Sequence, residues 1–392
     1  MRNKTIKMTP TDRLKEQKGK LINEFAKRNN LTALWQTLNT IVPYFLLFYL
    51  AIESLSVSYW LTALICSVLI LIVMRVFMMM HDCGHGCLYE KPMPNQVVGF
   101  IMGVLCGVPQ YVWSKHHAYH HATNGNWSKY RGPLSVLSVD EFKKLDQKKQ
   151  KSYESNRNIL LAPLGGFMYF ICTPRFTWLK GSLQFCVFLL KEKLKDKSKS
   201  FKNLSQEFET GYWNTWQEYA HMAANNLVLI SAWVLACYYF GVLNFFLVYT
   251  VVLSLAGALG IILFTIQHNF EDSYARDDES WDYFNAALEG TSYLDLPKLL
   301  HWFTANIGYH HIHHLSARIP NYKLQACHEK YAPLFEGVKR IRLKDIAKSF
   351  KYILWDNHAG RMITMEQYHA LYEETNSLGK GKAALAGRSS TG

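Results

Sequence analysis

Four nearly uncharged apolar stretches, residues 31–55, 59–80, 222–240 and 244–266, constrain this chain more than any other feature. Each is close to the roughly 20 residues that a helix needs to cross the hydrocarbon core of a bilayer. In lipid, no water is at hand to satisfy a backbone N–H or C=O, so only helices and closed barrels cross it. These runs show no strand-like alternation, which predicts helices. They fall into two pairs, joined by 56–58 and 241–243, links with room for little more than a turn. Each pair is therefore predicted to be a hairpin with both polar flanks on one side.

Charge says which side. A net charge of +13 would suit either nucleic acid or an anionic membrane surface. Its placement decides between them: residues 1–28 hold nine Lys or Arg, whereas 31–74 and 221–270 hold none. Basic residues that flank apolar spans and avoid the loops between them follow the positive-inside rule. No nucleic-acid motif accompanies them, so nucleic acid is not an expected partner and anionic membrane lipid is. The eight cysteines form no C-x-x-C pair, which argues against a disulfide framework and fits a reducing cytosolic side.

Two further apolar stretches read differently. Residues 97–112 are short for a span and punctuated by Gly and Pro, as a re-entrant or interfacial segment would be. Residues 160–190 are interrupted by Pro163, Pro174, Arg175 and Lys180, which places them at the membrane interface. Arg75, near the cytosolic end of the second span, is expected to snorkel toward headgroups. The expected fold is thus an all-α integral membrane protein of four transmembrane helices in two hairpins, with a cytosolic helical cap. Its segments are a basic cytosolic arm (1–30), a first hairpin (31–80), a cytosolic and interfacial region (81–221), a second hairpin (222–266), a further cytosolic region (267–375) and a flexible tail (376–392). Such a chain is multi-pass, in a bacterial inner membrane or an ER-type membrane.

Most of the sixteen histidines fall into three short clusters at the polar ends of these spans. They read H-D-C-G-H from His81 to His85, H-H-A-Y-H-H from His116 to His121, and H-H-I-H-H from His310 to His314. Residues three and four apart share a helix face. His81 and His85 therefore share one, as do His117, His120 and His121, and again His310, His313 and His314. Eight imidazoles converge in this way, and His268, just past the fourth span, would make a ninth. Spacing alone leaves His268 open between a ligand and a polar helix end. Nine imidazoles are too many for one first-row ion and suit two, although imidazole does not by itself name the metal. Three clusters of matched spacing, each beside an apolar segment, are a poor fit to chance. His116 and His311 face away from their triplets. His221, His301, His328, His358 and His369 need no special role.

The clusters and their surroundings resemble a known family. HDCGHGCLY, HHAYHHATNGNW and NAALEGTSYLDLPKLLHWFTANIGYHHIHHLSARIPNYKL are similar to the three histidine boxes of membrane fatty acid desaturases, across roughly 76–324. Within that family they look most like the acyl-lipid branch, which includes delta-12 (omega-6) and bacterial phospholipid desaturases. The resemblance implies two irons (Fe2+/Fe3+) on the cytosolic face, O2, an acyl-lipid or acyl-thioester substrate, and an external electron donor, ferredoxin or cytochrome b5. It also implies a histidine ligand after the fourth span, a position that His268 matches. The asparagine found four residues earlier in animal-type enzymes is Phe264 here.

On this reading no side chain acts as a general base, and no residue beyond the metal ligands is catalytic. Asp82 is expected to accept a hydrogen bond from a ligand imidazole, as such ligands need. Glu271, Asp272 and Asp295 are weaker candidates for that role, with helix capping or ion pairing as the alternative. Trp113, four residues before His117, either lines an acyl channel or anchors at the interface. Other readings are a delta-5 or delta-9 phospholipid desaturase, a diiron hydroxylase or ketolase built on the same boxes, a metal transporter, and a non-catalytic membrane sensor. The transporter predicts histidines within the spans, whereas these lie at their ends.

Overall fold

The computed structural model describes residues 9–132 and 134–373. The first eight residues of the expected arm and the expected tail at 376–392 lie outside the described residues. Helix α1 (Pro10–Phe25) opens with a capping box from Thr9. It lays Leu14, Leu21 and Phe25 into an apolar cluster with Ile312, Leu315 and Cys327.

The first expected hairpin is present as α2 (Asn30–Glu53) and α3 (Tyr59–Gly84). Asn29 and Ser58 start these helices by accepting bonds from backbone N–H groups that have no partner inside the helix. Next come α4 (Pro92–Cys106) and α5 (Gln110–Thr123), two helices bent by 99° at the break between them. Gly107 makes that corner at φ 76°, and a side chain there would run into the carbonyl of Phe170. Residues 97–112, expected as a re-entrant or interfacial segment, run across this break.

Short elements follow: β1 (Leu137–Ser138), α6 (Val139–Lys143), α7 (Gln147–Ser155) and α8 (Ala162–Phe167). A π-helical turn at Met168–Cys172 then leads into α9 (Thr173–Lys195). Ile159–Lys195 is thereby one helical run of 37 residues, long and apolar enough to cross a membrane. The described residues thus hold five helices of that kind rather than four, besides the bent pair. The prolines read as interruptions stand where the run changes its winding, Pro163 after the opening 3-10 turn and Pro174 after the π-helical turn, so neither missing N–H falls inside a regular α segment. After α10 (Phe201–Glu207) come α11 (Trp216–Phe240) and α12 (Val242–His268), the second hairpin, joined by Gly241. Both extend past the apolar runs, so His268 is the last residue of α12.

The polar C-terminal region is not purely helical, which corrects the all-α expectation. Between α13 (Tyr283–Leu288), α14 (Lys298–Phe303), α15 (His310–Leu315) and α16 (Asn321–Lys330) runs β2 (Ser292–Asp295). It pairs in parallel with β3 (Lys339–Arg342), Ser292 opposite Lys339. The strands β4 (Leu354–Asp356) and β5 (Arg361–Ile363) pair antiparallel, with β1 alongside β4. Strands of two to four residues are too short to show an alternating pattern in sequence.

The largest core joins α2, α3 and α12 through Tyr44, Phe48, Leu69, Val73, Val252 and Ala256. On the outer faces Trp35, Phe45, Leu64 and Tyr238 are exposed, as lipid-facing residues are. Arg75 departs from expectation: it is buried, not snorkelling. Its Nε donates to Thr40 Oγ1 at 2.9 Å, Nη1 donates to the carbonyl of Trp302, and the guanidinium lies 4.1 Å from the Trp302 ring centre. α14, which carries Trp302, closes over the position and supplies the acceptor that headgroups would have provided.

Candidate metal centre

Each histidine cluster lies on a helix end. His81 occupies the last turn of α3 and His85 is its C-cap residue. His117, His120 and His121 lie on α5, His268 ends α12, and His310, His313 and His314 lie on α15. The fold gathers these nine residues into two sets. His81, His85, His117, His121 and His313 offer nitrogens all within 4.8 Å of one another, and so do His120, His268, His310 and His314.

The division follows helix geometry. In α5 the i, i+4 pair His117 and His121 joins the first set and His120 joins the second. In α15 the pair His310 and His314 joins the second set and His313 the first. Each of these helices thus bridges the two sets, which touch where His121 stacks on His314 with ring centres 4.1 Å apart.

The nitrogens face one another rather than ordinary partners. His117 Nε2 lies 3.0 Å from His121 Nε2, and His268 Nε2 lies 3.0 Å from His310 Nε2. His85 Nε2, His313 Nε2, His314 Nε2 and both ring nitrogens of His120 are buried with no hydrogen-bond partner. A buried polar atom without a partner is costly, and a shared cation resolves several such atoms at once. Burial first, then the neighbouring imidazoles, holds His310, His313 and His314 well below the ordinary histidine pKa. They are therefore neutral near pH 7, the form that ligates a metal. Few carboxylates approach, so the donor set is imidazole-rich and fits two first-row ions.

The supporting residues separate. Asp82 Oδ1 lies 3.0 Å from His81 Nδ1, while its Oδ2 accepts from the backbone N–H and the side-chain amide of Asn321. Trp113 stacks on His117 at 4.5 Å and 17°, and its Nε1 donates to Tyr169 Oη at 2.8 Å. Asp295 is not brought to the histidines: it accepts from Arg340, which pairs with it at 2.6 Å. Glu271 pairs with Arg361, and Asp272 with Lys339. Those three carboxylates take the ion-pairing alternative. His116 is exposed, and His311 turns away to His328, 3.1 Å between nitrogens.

Two partners of the site leave no mark in the sequence. The carbonyl of Gly290 lies 3.1 Å from His268 Nδ1, and Asn321 holds Asp82. A backbone acceptor has no side-chain signature, and Asn321 is 239 residues from the carboxylate it serves.

Both sets border one cavity of about 460 Å³, reached by His81, His117, His120 and His310. Phe77, Met78, Trp113, Met168, Phe170, Ile261, Leu263 and Phe264 make most of its wall apolar. Phe264 packs its ring 5.0 Å from His120 and 5.3 Å from His268. It shields the second set with hydrocarbon where an asparagine would offer a donor.

Known proteins resemble this chain in sequence. A family model described as fatty acid desaturase aligns with residues 58–342. A fatty acid desaturase of Bacillus subtilis (strain 168) is 36% identical over 342 residues, 87% of this chain and 88% of that protein. An omega-3 fatty acid desaturase of the endoplasmic reticulum from Nicotiana tabacum is 25% identical over 304 residues, 74% and 72% of the two chains. An Arabidopsis thaliana acyl-lipid omega-3 desaturase (cytochrome b5) is 39% identical over a 51-residue segment, 13% of each. With the family model spanning most of the chain and the Bacillus relative aligned over nearly all of both proteins, the chain belongs to the fatty acid desaturase family, oxidoreductases that act on fatty acyl chains.

Proposed function

We propose that this chain is a membrane acyl desaturase in which His81, His85, His117, His121 and His313 hold one iron and His120, His268, His310 and His314 a second. The observation that carries this reading is that both imidazole sets open onto the same apolar cavity. A metal transporter has no use for such a wall, whereas a methylene chain does. We place the histidine side in the cytosol, with α2, α3, α11 and α12 crossing in two hairpins. The nine basic residues of 1–28 support that orientation. Lys180, Lys191, Lys193 and Lys195 along α9 support an interfacial place for 159–195.

When bound, the irons supply the reduction of O2 and the oxidising power that an unactivated C–H bond requires. Overall, CH2–CH2 becomes CH=CH, and the two hydrogens, two protons and two electrons from an external donor convert O2 into two waters. The donor is a small redox protein of the ferredoxin or cytochrome b5 kind.

The chain's own residues prepare the site. Asp82 and the Gly290 carbonyl each hold an Nδ1–H, leaving Nε2 of His81 and His268 to face a metal. Trp113 fixes the plane of His117. Phe77, Phe170 and Phe264 keep water from the reacting carbons and hold the chain against the site. The motifs favour an acyl-lipid substrate, with either delta-12/omega-6-like chemistry or, as in a delta-5 or delta-9 phospholipid desaturase, a bond nearer the carboxyl end. Expression in a host without polyunsaturated lipids tests the reading. Membrane lipids lighter by two hydrogens support it, and an added oxygen or an unchanged lipid profile sinks it.

A further inference from the structure

Helices α8 and α12 cross so closely that a Cβ placed on Gly257 would lie 2.6 Å from Gly166 Cα. Gly165 and Gly257, at and beside that crossing, line the same cavity as the imidazoles, and Gly257 stands three turns of α12 before His268. One turn nearer the histidines, Gly260 also lines the cavity, yet a Cβ there would meet nothing within 4 Å. Packing requires glycine at 257 and not at 260, where it weakens the helix for no structural return. What the missing side chain preserves at 260 is free cross-section.

We propose that Gly260 keeps open the passage for the methyl-side segment of the acyl chain, and that the Gly166–Gly257 crossing is its stop. This rests on the desaturase reading above. The orientation follows from polarity. Beside the crossing the cavity is lined by Gly165 and Ile261, which touch, and neither offers an ester or thioester a partner. The histidine end offers Thr265, Gln267 and Tyr130.

Helix rise gives the scale. Gly260 precedes His268 by eight residues, about 12 Å, and Gly257 precedes it by eleven, about 16 Å. Tetrahedral carbons advance roughly 1.25 Å each along an extended chain. The passage therefore takes about thirteen carbons beyond the oxidised bond, and a bulky residue at 260 cuts this to about nine or ten. An omega-6 bond would fill less than half of that length, so the geometry favours a bond nearer the carboxyl end.

The test expresses wild type and the graded variants Gly260→Ala, Gly260→Val and Gly260→Leu in a host supplied with 14-, 16- and 18-carbon saturated acids. Iron content and the acyl lipids that co-purify, weighed by native mass spectrometry, are read alongside the products. We expect the 18-to-14-carbon product ratio to fall stepwise with side-chain size, at least tenfold for Leu, and the co-purifying chains to shorten in parallel. Iron should stay at the wild-type level. Unchanged ratios and unchanged co-purifying chains in iron-replete Val or Leu variants would overturn the proposal. Should Leu fail to accumulate, the Ala and Val steps decide. A wild type that makes no double bond would count against the desaturase reading instead.

Discussion

The two imidazole sets are built differently. The first has five members, two of them, His85 and His121, only half-buried, and a carboxylate braces it at His81. The second has four, all buried, and a main-chain carbonyl braces it at His268. A five-nitrogen set can lose one imidazole and keep four. A four-nitrogen set drops to three, with the ends of α5, α12 and α15 and the Gly290 loop all depending on it. The comparison teaches that the shell of fewer, deeper ligands is the fragile one.

The largest expected effect breaks the second set. His310→Ala or His268→Ala should abolish turnover and release the iron held there, whereas His85→Ala should leave measurable activity and more iron. Iron assay and product analysis on the same preparations check the order. Equal losses across the two sets would erase the distinction.

Acid should come next. A histidine held below its ordinary pKa in the fold stays neutral while the unfolded chain takes up protons. The penalty is thus absent above about pH 6.5 and grows as pH falls through that value. His310, His313 and His314 all shift in this direction. Metal retention and melting temperature should therefore both fall between pH 7.5 and 5.5, as parallel titrations of iron content and thermal unfolding would show.

A smaller effect probes the brace. Asp82→Asn should weaken iron retention at the first set by about 10- to 100-fold, since such partners orient their imidazole. A competing chelator measures that affinity directly. Asp295→Asn sits at the bottom of the scale. Its partner Arg340 is half-exposed, and exposed pairs contribute about 0–1 kcal/mol. Wild-type iron content with a barely moved melting temperature is the expected result.

The sequence carried the framework far. The hairpins and the nine histidines were readable because apolar length and i, i+3, i+4 spacing are local properties. Their division into five and four was not, since it depends on how α3, α5, α12 and α15 meet. Arg75 misled for the same reason: its local setting suggested headgroups, and a carbonyl 227 residues away took their place. Asp295 lay in a family-like stretch, but its β-strand pairing delivers it to Arg340. The short strands and the Gly290 carbonyl leave no pattern that a single sequence displays.

The central claim is that two imidazole sets hold two irons. Metal analysis of purified protein, wild type beside His310→Ala, tests it most directly. The wild type should hold about two irons per chain and the variant about one, with the remaining iron bound by the five-histidine set. A wild type that binds a single ion, or a variant that still binds two, would contradict it.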